Sequence, residues 1–90
     1  MRYKVVCIRD RAADVFGMPN FVMSIGGAIR SFSDEVNRQA DGNQLNLHPG
    51  DFDLYELGVF DDEWARFEPL ADGPRQIAIG KDLLRDGFGS

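Results

Sequence analysis

Few side chains in this sequence could do covalent or acid–base chemistry. The chain of 90 residues holds one histidine, His48, and one cysteine, Cys7. Nucleophilic catalysis needs a nucleophile with a base in reach. His48 sits inside a His-Pro-Gly turn, and no motif marks an Asp or Cys partner for it. It reads as a loop side chain. Cys7 lies among Val and Ile and reads as a small buried hydrophobe, because unpaired Cys is among the most buried residue types. A single Cys excludes an internal disulfide framework and a Cys-rich zinc site.

Hard cations would need clustered oxygens, and Asp51, Asp53, Asp61, Asp62 and Glu63 are the candidates. Asp51-Phe-Asp53 lacks the third oxygen ligand and the glycine of a calcium loop. Asp61-Asp62-Glu63 reads as a solvated hairpin tip. Ser24-Ile25-Gly26-Gly27 at a helix start, with Arg30 one turn on, has the flavour of a phosphate cradle. It matches neither the Walker nor the dinucleotide pattern. Close packing of helix on strand is the reading favoured for its glycines. The residues therefore predict no metal site, no cofactor and no enzyme.

Cations and rings give a better case. Proteins that hold single-stranded nucleic acid stack bases on aromatic faces and meet phosphates with cations. Arg2, Lys4, Arg9, Arg11, Arg30 and Arg38 fall in the first 38 residues, with Tyr3, Phe16 and Phe21 nearby. Four acids accompany those six cations, a balance of +2, whereas residues 39–90 set four cations against eleven acids, a balance of −7. The net charge of −5 is opposite to the usual nucleic-acid footprint. Direct contact thus requires the cations to gather on one face. Most of Phe16, Phe21, Phe32, Phe52, Phe60, Phe67 and Trp64 are expected in the core, because so short a chain has few alternatives.

The elements that must position these residues follow from pattern and punctuation. Tyr3 to Arg9 (YKVVCIR) reads as a strand with apolar residues on both faces. Asp10 to Asn20 reads as a loop with room for a helical turn over Ala12 to Phe16, and Phe21 to Ser24 as a short strand. Ser24 is a helix N-cap, and Ile25, Ile29, Phe32 and Val36 then form one stripe of an amphipathic helix ending near Gln39. Asp41 to Asp51 reads as a loop. Phe52 to Phe60 (FDLYELGVF) and Trp64 to Glu68 form a hairpin around Asp61-Asp62-Glu63, with Gly58 marking a bulge or a close backbone approach. Gln76 to Ile79 is a last short strand. Lys81 to Asp86 adds a helical turn before a loose tail over 86–90.

The length allows one domain over residues 1–90, and 43% hydrophobic residues suffice for one modest core. The fold expected is α+β: one amphipathic helix packed on a small, mainly antiparallel sheet of about four strands. No run of ~18 apolar residues is present, so no membrane contact is expected, and no signal peptide is indicated.

Three stretches taken together carry a resemblance. They are Gly27-Ala28-Ile29-Arg30-Ser31-Phe32-Ser33-Asp34-Glu35-Val36-Asn37, His48-Pro49-Gly50-Asp51-Phe52-Asp53-Leu54-Tyr55-Glu56-Leu57-Gly58 and Phe60-Asp61-Asp62. In this order the chain resembles the small nonstructural protein of gokushoviruses, the single-stranded-DNA phages of the Microviridae, over roughly residues 1 to 80. The resemblance implies a role in genome replication or packaging in the host bacterial cytoplasm. It carries over no catalytic residue. The leading expectation is a non-enzymatic accessory protein that contacts single-stranded DNA through Arg9, Arg11, Arg30 and Arg38. The rival is a protein–protein module that modulates a host or phage replication protein through its acidic half, without touching DNA. Pairing of exposed sheet edges would make a homodimer.

Overall fold

A computed structural model describes residues 1–85. The chain forms ten elements: strand β1 (Arg2–Asp10), strands β2 (Val15–Phe16) and β3 (Asn20–Val22), helix α1 (Ile25–Asn37), helix α2 (Gln44–Leu47), a 3-10 turn over Pro49–Asp51, strands β4 (Phe52–Asp61), β5 (Arg66–Pro69) and β6 (Arg75–Ile79), and helix α3 (Gly80–Leu83). The fold is α+β, and the sheet is antiparallel with six strands rather than about four.

The difference in strand number has a simple origin. β1 and β4 are long and pair along their whole length, from Arg2 opposite Asp61 to Asp10 opposite Phe52. Each outer edge is then shared by two short strands. β3 pairs with Lys4–Val6 and β2 with Arg9–Asp10 on the β1 side. β5 pairs with Gly58–Asp61 and β6 with Asp53–Glu56 on the β4 side. Val15–Phe16 is one of these edge strands, where a helical turn was expected. Two residues carry too little periodicity for a strand to be read from sequence.

The pleat fixes the two faces. Side chains alternate along β1, so Val6 and Ile8 point to one face and Val5, Cys7 and Arg9 to the other. Helix α1 covers the first. Its Ala28, Phe32 and Val36 are buried against Val6 and Leu54, with Ile8, Val22, Ile25, Ile29, Leu45, Phe52 and Ala78 packed around them. The expected stripe thus faces the sheet. The Ser24 hydroxyl caps α1 by accepting the Gly27 N–H at 3.0 Å. The helix ends at Asn37, two residues early, and Arg38 forms the C-cap. Helices α2 and α3 pack beside α1. The first of them, with the 3-10 turn, lies inside Asp41 to Asp51, where a loop was expected. Asn43 holds this segment by donating its side-chain amide to the carbonyls of Glu35 and Arg38 at 2.9 and 2.7 Å.

Glycine positions test two expectations. The β1–β4 register slips between Val5 and Val6, leaving Leu57 unpaired, and a Cβ on the adjacent Gly58 would collide with the Glu68 carbonyl of β5. Gly58 therefore marks both a bulge and a close approach. At Gly26 a Cβ would meet nothing within 4 Å, so packing against a strand does not explain that glycine. The expected tail over 86–90 lies outside the described residues.

Candidate nucleic-acid interface

Among the described residues, the face of the sheet opposite α1 carries no helix. Register places on it Tyr3, Val5, Cys7 and Arg9 of β1, Phe21 opposite Val5, Phe16 opposite Arg9, Tyr55 opposite Cys7, Phe60 opposite Tyr3, and Phe67 opposite Phe60. The small aliphatic side chains lie deepest: Val5 and Cys7 are buried beneath the rings. Burial pushes the Cys7 thiol up from its ordinary value. The rings stay open, with Phe16 44%, Phe21 51% and Phe67 62% exposed. Three large exposed rings on one face are unusual, since folding places such side chains inside wherever the chain permits.

The rings fall into two groups. Phe16 meets Tyr55 edge-to-face, with centroids 5.2 Å apart, and the Arg9 guanidinium lies 5.2 Å from the Phe16 centroid. Phe21, Phe60 and Phe67 form a triangle with centroid separations of 5.3, 4.8 and 6.2 Å. Beside that triangle lies an apolar depression of about 250 Å³, lined by Val5, Pro19, Leu57, Gly58, Phe67 and Pro69 among others.

The four arginines singled out from sequence do not share one surface. Arg9 and Arg11 lie at the end of the aromatic face formed by β2 and β6. Arg9 stacks on Phe16 and its Nη2 donates to Asp14 at 2.6 Å, while its buried Nε has no partner among the described residues. Asp14 sits in the β1–β2 turn at φ 56° with its carboxylate largely in solvent. Arg11 serves the fold. Its Nε lies 2.9 Å from Oδ2 of Asp53, which is fully buried and also accepts from Gln76 at 3.0 Å, and its Nη2 donates to the Gly50 carbonyl. Removing Arg11 would leave a buried carboxylate without its cation, a large loss of stability.

Arg30 is on α1 and Arg38 is its C-cap, across the sheet. Arg30 is exposed and has no ion-pair partner within 4 Å among the described residues. Arg38 grips Glu35, with Nε 3.0 Å from both carboxylate oxygens and Nη2 2.6 Å from one, and holds that carboxyl below its ordinary range.

The acids that make the chain negative are mostly off the aromatic face. Glu56 is paired across from Val6 on the helix side, buried, and bonded to Arg75 at 2.6 Å. Glu68 and Asp61 share that side with Arg2, whose guanidinium takes both Glu68 oxygens at 2.9 and 3.1 Å. Asp62 is bonded to the Met1 ammonium at 2.8 Å, and Asp61 accepts the Glu63 N–H at 2.9 Å. Asp53 does lie on the aromatic face, but buried and opposed by Arg11.

Sequence reasoning missed Tyr55, Phe60 and Phe67 as partners of Phe16 and Phe21. The alternation within Phe52 to Phe60 could have placed Tyr55, but the bulge at Leu57 shifts the phase before Phe60. His48 is exposed in the turn before β4, and no group of three metal-ligating side chains occurs among the described residues.

No curated protein and no solved structure matches this chain. A family model does match it, over residues 3–83, which take in every strand and helix described above except the first residue of β1. The chain belongs to the Phage ORF5 protein family.

Proposed function

We propose that this phage protein is a non-enzymatic accessory factor that binds single-stranded DNA on the helix-free face of its sheet. The carrying observation is the open set of Phe16, Phe21 and Phe67 with Arg9 laid over a ring. Base stacking on aromatic side chains needs open π-faces, and it tolerates any sequence because every base has a π-face. The acidic balance of the chain weighs little against this reading, since most acids near the sheet face the other way or are paired.

The resemblance to gokushovirus nonstructural proteins supports a place in genome replication or packaging inside the bacterial host. Arg9 is the cation that the geometry offers to a phosphate. Arg11 is committed to Asp53, and Arg30 and Arg38 would serve only a strand that wraps onto the helix.

Fluorescence anisotropy of a labelled 16-nucleotide oligo-dT tests the reading at two salt concentrations. Saturable binding is expected. Its salt slope should be shallow, because one or two phosphate contacts give a slope of only about −0.7 to −1.4 on log–log axes. Absence of binding at low salt, where electrostatics are strongest, would overturn the proposal.

A further inference from the structure

We infer that the DNA strand runs along the β1–β4 axis and stacks at two separate stations, one at Phe16 and Tyr55, the other at Phe21, Phe60 and Phe67. This rests on reading the open face as a single-strand platform. Phe16 is paired opposite Arg9 and Phe21 opposite Val5, four residues apart on β1. At the rise of a strand that is ~13 Å. A stacked nucleic-acid strand rises about 3.4 Å per nucleotide, so about four steps separate Phe16 from Phe21, the nearer ring of the second station, while Phe60 and Phe67 are level with Tyr3, two residues further along β1. A pentanucleotide reaches both. A dinucleotide reaches one.

The stations differ in chemistry. The first pairs rings with the Arg9 guanidinium, so it can hold a base and the adjoining phosphate together. The second contains no cation among the residues that build it, only three rings beside an apolar depression. It accepts a base by stacking and desolvation alone. Phe16 at one end and Phe21 and Phe67 at the other are exposed, while Cys7 between their levels is buried. The one ring at the midpoint among the described residues, Tyr55 opposite Cys7, is half-buried edge-to-face against Phe16 and belongs to the first station, so intermediate nucleotides bridge. Two linked contacts of this kind multiply, because the second engages at high effective concentration. Single-stranded nucleic acid fits this arrangement because it repeats a flat ring and a negative charge along one line.

The test is a length series, dT2, dT3, dT5 and dT8, against the wild type, Phe16→Ala and Phe67→Ala. Loss of a stacked base is worth about fivefold to 150-fold. For dT5 and dT8 each variant should lose that much, and the double variant close to the product. For dT2 each single variant should lose no more than about twofold, since the other station still binds it. Raised salt should weaken binding in Phe67→Ala, which retains the Arg9 station, and leave binding by Phe16→Ala/Arg9→Ser nearly unchanged. Phe16→Leu and Phe67→Leu keep apolar volume without a π-face, and losses equal to those of the alanines would separate stacking from packing. Equal losses at every oligonucleotide length, or no loss at one station, would overturn the two-station inference while leaving the platform intact. Failure of wild-type protein to bind any length would remove the platform itself.

Discussion

One face of the sheet is aliphatic and closed under α1, whereas the other is aromatic and left open, and β1 supplies both. Its Val6 and Ile8 go to the helix side, where Phe32 and Val36 complete a buried cluster. Its Val5, Cys7 and Arg9 go to the open side, where Phe16, Phe21 and Phe67 remain exposed. A 90-residue chain has little apolar surface to spare. Spending three phenylalanines on an uncovered face therefore points away from stability and toward binding. The two faces should answer differently to mutation.

The largest expected effect is on the closed face. Phe32→Ala removes a ring from a site that is 4% exposed and should lower the unfolding free energy by about 3–5 kcal/mol in urea titration. The comparable change on the open face, Phe67→Ala, should lower it by about 1 kcal/mol or less, since there the ring keeps only partial contacts. Equal losses would break the distinction between the faces.

Ser24→Ala comes next. It removes the hydroxyl that accepts the Gly27 N–H and should lower stability by about 1 kcal/mol, with no change in DNA affinity. A drop in affinity would mean that the helix side takes part in binding.

Asp14→Asn acts on the open face. The Asp14 carboxylate holds Arg9 at 2.6 Å and competes with any phosphate for it. Asn suits the positive φ at that position at least as well as Asp. Releasing one exposed ion pair should tighten DNA binding about two- to fivefold and steepen the salt slope by ~0.7. Unchanged affinity would exclude Arg9 as a phosphate contact.

The smallest effect is an acid limb. The Arg2 guanidinium holds the Glu68 carboxyl below its ordinary range, and Arg38 does the same for Glu35. A folded-state pKa below the unfolded value of about 4.3 gives stability that is present above that pH and lost as pH falls through the folded value. Arg2→Ala should flatten part of the decline in urea midpoint below about pH 4. An unaltered decline would show that this exposed pair contributes nothing.

How much of this was legible in the sequence depends on period and length. Helix α1 was legible because Ile25, Ile29, Phe32 and Val36 repeat over three turns and Ser24 caps them. The central hairpin was legible in the run from Phe52 to Phe60 and the turn after it. Of the edge strands only Val15–Phe16 was not, because two residues cannot show alternation; Phe21 to Ser24, Trp64 to Glu68 and Gln76 to Ile79 were read as strands and fall within a residue or two of β3, β5 and β6. At the site, Phe16 and Phe21 were visible as rings near cations, but nothing local says that both face away from the helix. Arg11 looked as available as Arg9, and only the buried position of Asp53 shows why it is not. Arg30 and Arg38 share a helix with the core stripe, which carries them to the far side of the sheet.

The most direct test of the central claim sets one face against the other in a single assay. Oligo-dT anisotropy is measured for the double variant Phe16→Ala/Phe67→Ala and for Arg30→Ser/Arg38→Ser, each checked for native far-ultraviolet circular dichroism. The account predicts that the ring variant loses at least about 25-fold in affinity and that the helix variant stays close to wild type. The reverse pattern, with rings dispensable and helix arginines essential, would contradict it.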